Sequence, residues 1–164
     1  MKFKSFWILY LILVFPAISF SQPFQERTGS WMLGGGMGIN EDPSLIAFRL
    51  GLDYYITDEI SVGPLAQYGI RDDDYIFGLS GVVKYSAILA QNKVARPYGE
   101  VGIGYVEFDC EDLFDGKRKT TYLFPVGGGF EFKMADQLSL DVNILFNLSQ
   151  EIFLSLIIGV NYIF

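Results

Sequence analysis

Apolar side chains recur at every second position through most of this chain. The cleanest run is Leu45 to Ile56: Ile46, Phe48, Leu50, Leu52, Tyr54 and Ile56 share one side, and Ala47, Arg49, Gly51, Asp53 and Tyr55 the other. A period of two marks a strand with two unlike faces. Read between turn signals, the pattern predicts eight strands. Ser30 to Ile39 sets Trp31, Leu33, Met37 and Ile39 against Gly34, Gly36 and Gly38, and Asn40 to Ser44 is a turn by composition. Leu45 to Ile56 follows, then Ile60 to Ile70, where Pro64 lacks a ladder donor and predicts a bulge. Tyr75 to Leu89 places Ser80, Lys84 and Ser86 opposite Phe77, Leu79, Val83 and Tyr85. Arg96 to Phe108, Thr120 to Met134 and Gln137 to Leu148 alternate in the same way, with Glu100, Glu131 and Asp141 on their polar sides. The last strand, Glu151 to Phe164, has Ile152, Leu154, Leu156, Ile158, Val160, Tyr162 and Phe164 on one side.

Alternation alone does not say which face is inside. In a soluble barrel the apolar face points inward; in a membrane barrel it points outward. Here the apolar faces are long and their ends carry Tyr, Phe or Trp, as in a lipid-facing band with aromatic girdles. The opposite faces are rich in glycine, which suits a narrow lumen. No apolar run after residue 21 reaches the ~18–20 residues of a spanning helix, so a membrane crossing must use strands. Only closure removes unpaired edges in hydrocarbon. The predicted fold is all-β, an eight-stranded antiparallel up-and-down transmembrane β-barrel. The rival reading is a soluble secreted or periplasmic barrel, lipocalin-like, whose Leu, Ile and Phe faces line a cavity for an apolar ligand.

The start of the chain reads differently. Lys2 and Lys4, the apolar run Phe6 to Ala17, and Ser19-Phe20-Ser21 have the layout of a secretory signal with its cleavage site. This predicts two parts, a signal peptide at 1–21 and a barrel domain at 22–164. The segment carries two lysines and no acid, so its loss moves the net charge from −7 to −9. Such a balance argues against a nucleic-acid partner.

Candidate chemistry is sparse. The sequence has no histidine, the commonest general base and metal ligand, and its single cysteine, Cys110, cannot form an internal disulfide. The glycine groups Gly34–Gly38 and Gly127–Gly129 lack the Lys-Ser/Thr of a phosphate loop and open no helix. The acids Asp109, Glu111, Asp112 and Asp115 depart from the spacing of a calcium loop and read as a solvated loop. No catalytic residue, cofactor or metal site is expected.

The ending Gly159, Tyr162, Phe164 resembles the C-terminal assembly signal of bacterial outer-membrane barrels, with Ile157 at a position usually polar. Together with the strand count, the signal and the glycine-rich inner faces, it makes the mature chain similar to the small OmpA/OmpX-like barrels. That resemblance implies an integral outer-membrane protein of a Gram-negative bacterium with both termini in the periplasm. It also implies membrane lipid, lipopolysaccharide and the barrel-assembly machinery as partners. Barrels of this size that modify lipid A use a histidine with serine and a carboxylate, which has no counterpart here, so no enzymatic activity is expected.

The residues left to explain are the inward charges: Arg49 and Lys84 against Asp53, Glu100, Glu131 and Asp141. Isolated charges in a narrow lumen are costly, so they should pair. Lys84 and Glu100 lie symmetrically about the connection near residue 92 and are expected cross-strand partners. Glu131 and Asp141 flank Asp136 in the same way, so two carboxylates should face each other, relieved by Arg49, water or a retained proton. The expected role is a structural or interaction protein with a lumen plugged by these charges. A slow small-ion pore, gated by the same network, is the variant.

Overall fold

The computed structural model describes residues 26–41, 44–72, 74–87, 95–109 and 118–164. The expected signal at 1–21, the connection at 90–94, Cys110 and the acids Glu111, Asp112 and Asp115 lie outside them. Eight strands follow in chain order: β1 (Trp31–Glu41), β2 (Leu45–Tyr55), β3 (Ile60–Arg71), β4 (Asp74–Ser86), β5 (Ala95–Asp109), β6 (Lys119–Lys133), β7 (Leu138–Leu148) and β8 (Phe153–Ile163). Each pairs antiparallel with its neighbours in sequence, and β1 also pairs with β8, so the sheet is a closed barrel. Closure runs to the end of the chain: Trp31 N–H donates to the Phe164 carbonyl at 3.0 Å, and Phe164 N–H returns the bond at 2.9 Å. The first strand begins and the last ends at the same mouth, called here the terminal mouth; the opposite one is the outer mouth.

The alternation resolves into an apolar exterior and a polar interior. Ile103 is 65% exposed, Met37 59% and Ile46 57%, and they belong to a continuous apolar surface of a size that marks contact with something other than water. Trp31, Tyr54, Tyr85 and Tyr162 ring the terminal end of this surface, and Tyr68, Phe77 and Tyr122 the outer end. Arg96, Glu100, Glu131 and Asp141 are buried inside. A lipocalin-like barrel needs the reverse arrangement, so the soluble reading is corrected.

Two glycines show how tightly the wall is drawn. A Cβ on Gly38 of β1 would collide with the Leu156 carbonyl of β8. Gly29, with φ 79°, turns the chain into β1 through a left-handed conformation. The bulge expected at Pro64 is absent. Gly51 pairs with Leu65 and Tyr54 with Val62 in one unbroken register, so the strand lacks ladder pairs around Gly63 and Pro64 but gains no extra residue. The other edge of Pro64 stays in register opposite Gly81 of β4. Proline here removes a donor without shifting the count.

Candidate functional site

The lumen is the site, and its contents are layered. At the terminal mouth the segment before β1 folds inward. Its Arg27 side chain, 2% exposed, donates both Nη atoms to Glu131 of β6, at 2.7 and 2.8 Å, and Nη1 also reaches the Tyr55 hydroxyl at 2.6 Å. The guanidinium lies 5.2 Å from the Tyr55 ring centre, and Ser139 Oγ donates to the same Glu131. Outside the strands, Asp58 in the β2–β3 turn fastens this segment. It accepts from Arg27 N–H at 2.7 Å, Thr28 N–H at 2.9 Å and Thr28 Oγ1 at 2.9 Å. Burial pushes the Asp58 carboxyl up, but these donors, with Arg96 nearby, outweigh it and hold the group below its ordinary value of 3.8.

The next layers hold Lys84, Asp53, Arg49, Glu100 and Asp141. Lys84 of β4 crosses to Asp53 of β2 at 2.7 Å, and its Nζ lies 4.9 Å from the Tyr98 ring centre. Arg49 of β2 grips Glu100 of β5 through two 2.7 Å bonds, the forked geometry in which arginine matches a carboxylate best. Asn143 donates to Glu100 at 2.6 Å and to the Tyr98 hydroxyl at 3.0 Å, and Tyr98 donates to Asp141 at 3.0 Å. A space of about 20 Å³ beside Asp53, Lys84 and Asp141, walled by Gly34, Gly36 and Gly51, has room for one water.

Beyond the ion pair that Arg49 forms with Glu100 the contents change, starting level with the Arg49 backbone, which is in register with Gln67. Leu65, Val82 and Leu145 form an apolar tier. Above it Gln67 donates to Asn147 at 3.0 Å, Asn147 to Ser155 at 2.9 Å and Ser155 to Asn40 at 2.7 Å. The outermost tier is Leu45, Ile76, Val106, Phe108, Leu123 and Phe153, with Phe108 and Phe153 in edge-to-face contact at 6.0 Å.

All six charges singled out in the sequence lie in the interior, but their partners differ from the expected ones. Lys84 and Glu100 are register neighbours on β4 and β5, yet each forms its ion pair with β2, Lys84 over the intervening β3 and Glu100 from farther round the barrel. Register sets which backbones adjoin; long side chains in a closed barrel reach farther. Glu131 and Asp141 are register neighbours too, but Arg27 relieves Glu131, not Arg49. Arg27 escaped the sequence reading because it precedes the first strand. Arg96 and Lys133 also face inward, and their parity with Glu100 and Glu131 would have found them. Arg96 Nη1 donates to the Asp58 carbonyl at 3.2 Å, and Lys133 pairs with Asp136 at 3.0 Å. Gly159, Tyr162 and Phe164 lie on or just past β8, Tyr162 and Phe164 with outward rings stacked 6.4 Å apart. Among the described residues no group of three or more Asp, Glu, Cys or His could hold a metal ion.

The model of the outer membrane protein beta-barrel domain matches residues 10–164. The chain belongs to that family. This outer membrane barrel is similar in fold to the N-terminal β-barrel domain of Pseudomonas aeruginosa OprF, with TM-score 0.69 and 14% identity over 85% of this chain and 100% of that one. Neisserial surface protein A matches with TM-score 0.62 and 11% identity, covering 82% and 97% of the two chains. Pseudomonas aeruginosa outer membrane protein OprG matches with TM-score 0.59 and 13% identity, covering 84% and 97%. At these identities the likeness is one of fold. No curated protein sequence matches the outer membrane barrel.

Proposed function

We propose that this outer membrane barrel serves a structural or interaction role, with a lumen that is plugged. The observation that carries this reading is the filled interior: three buried ion pairs, Arg27–Glu131, Lys84–Asp53 and Arg49–Glu100, stand where a porin would hold water. On this reading residues 1–21 are removed as a signal, both termini lie in the periplasm, and the outer mouth meets lipopolysaccharide. Gly159, Tyr162 and Phe164 serve delivery by the barrel-assembly machinery. The absence of histidine supports a role without catalysis.

The variant, a slow pore for small ions, draws on the same charges, which exchange of partners would turn into a path. Single-channel recording of the refolded barrel in planar bilayers divides the two. Silence is the expected result; steady openings in the wild type support the pore. Membrane association is tested by fractionation with outer membranes and by a gel mobility that shifts on heating. Recovery in the aqueous fraction would overturn the whole reading.

A further inference from the structure

The lumen holds two unlike fillings, stacked end to end. From Arg49 and Glu100 to the terminal mouth every layer is charged. From the Leu65 tier to the Phe108 tier no inward side chain among the described residues carries a charge. Arg71, Asp74 and Lys119 stand at the outer rim, at the ends of their strands, Arg71 paired with Asp74 at 3.4 Å and Lys119 in register with Phe108.

The two fillings oppose an ion differently. In the charged half an entering ion finds carboxylates, guanidinium groups and amides that can replace its water. Partner exchange there trades one favourable contact for another. In the outer half it meets Leu65, Val82 and Leu145, and then the six side chains around Phe108 and Phe153, all at most 4% exposed. Neither tier offers a ligand for a desolvated ion, and transfer of a bare charge into such surroundings is strongly unfavourable. The amides and hydroxyl between the tiers are neutral and bonded to one another, from Gln67 through Asn147 and Ser155 to Asn40.

We infer that the permeability barrier of this barrel is the two-tier apolar stopper of its outer half, and that the charged half is a blind vestibule. Arg27 and its strap lie across the vestibule's terminal mouth. The ion pairs therefore organise the interior without sealing it. The inference rests on the plugged-lumen reading and moves the seat of the plug.

Conductance of the refolded full-length barrel in planar bilayers tests it, comparing wild type, Arg49→Met/Glu100→Met and Phe108→Ala/Phe153→Ala. Removing both members of the ion pair avoids leaving a buried charge alone. Wild type and the ion-pair variant should be silent, and the stopper variant should conduct at least tenfold above them. An ion-pair variant that conducts while a folded stopper variant stays silent overturns the inference and leaves a plugged barrel. A folded stopper variant that stays silent beside a silent ion-pair variant also overturns it. Wild type conducting as freely as the stopper variant overturns the plugged-lumen reading itself. If the phenylalanine variant loses its heat-shifted mobility, Val106→Thr, which exchanges a methyl for a hydroxyl of similar volume, wets the same tier, and the same outcomes apply.

Discussion

The two halves of the lumen use one wall and solve one problem, a narrow space to be filled, by different chemistry. In the terminal half Glu100 is held by Arg49 and Asn143, so its stability is a matter of partners. In the outer half Leu65, Val82 and Leu145 touch one another without a polar atom, and their stability is a matter of volume. The difference shows in how each half responds to loss. A charge deprived of its partner becomes a liability that a second deletion cures. A methyl removed from a packed tier leaves a hole that a second deletion enlarges.

The largest expected effect is therefore in the charged half. Arg49→Met leaves Glu100 buried with no cation of its own and should lower unfolding free energy by about 3–5 kcal/mol. Adding Glu100→Met should recover most of that loss, measured by urea titration in lipid vesicles with Trp31 fluorescence as the probe. Failure of the second deletion to rescue would end the contrast between the halves. Next comes Leu145→Ala, expected to cost about 2–5 kcal/mol through lost transfer energy and the cavity left behind. Leu65→Ala/Leu145→Ala should be worse than either change alone in the same titration. Third is the wall itself: Gly38→Ala forces a methyl against the Leu156 carbonyl at the β1–β8 seam and should cost roughly 1–3 kcal/mol as overpacking. Heating temperature for loss of the compact gel form reads that change.

The smallest effect belongs to the strap. The folded Asp58 carboxyl sits below its ordinary value, so its stabilising contribution is complete above pH 3.8 and is lost as acid protonates it below that value. Asp58→Asn should remove roughly 0.5–1.5 kcal/mol at neutral pH and flatten the stability profile in that acid range. A variant profile parallel to wild type would show that Asp58 does not fasten the strap.

How much of this was legible follows from what a strand sequence encodes. Parity placed Arg49, Asp53, Lys84, Glu100, Glu131 and Asp141 inside, because side chains two apart share a face whatever the rest of the molecule does. Turn residues placed the strand ends within a few positions, as at Leu45 and Leu148. Partner choice was not legible. Lys84 reaches Asp53 over β3, the strand between them, past the small inward residues Ser61 and Gly63, a reach that pairing within one hairpin does not describe. Arg27 belongs to no strand, so periodicity was blind to it. Pro64 misled for a related reason: the lost donor is local, but whether a strand bulges is decided by both neighbours, and β4 held its register.

The seam between Trp31 and Phe164 has a consequence for the order of assembly. The two backbones that complete the cylinder come from opposite extremes of the described chain, so the pairing that removes the last open edges joins the most distant partners in sequence. Closing so long a loop carries the largest chain-entropy cost of any pairing in the barrel. Until it happens, β1 and the newest strand both present bare donors and acceptors to their surroundings. Every shorter product of this chain is therefore a sheet with two sticky sides, and β8 is the strand whose arrival converts an aggregation hazard into a sealed surface.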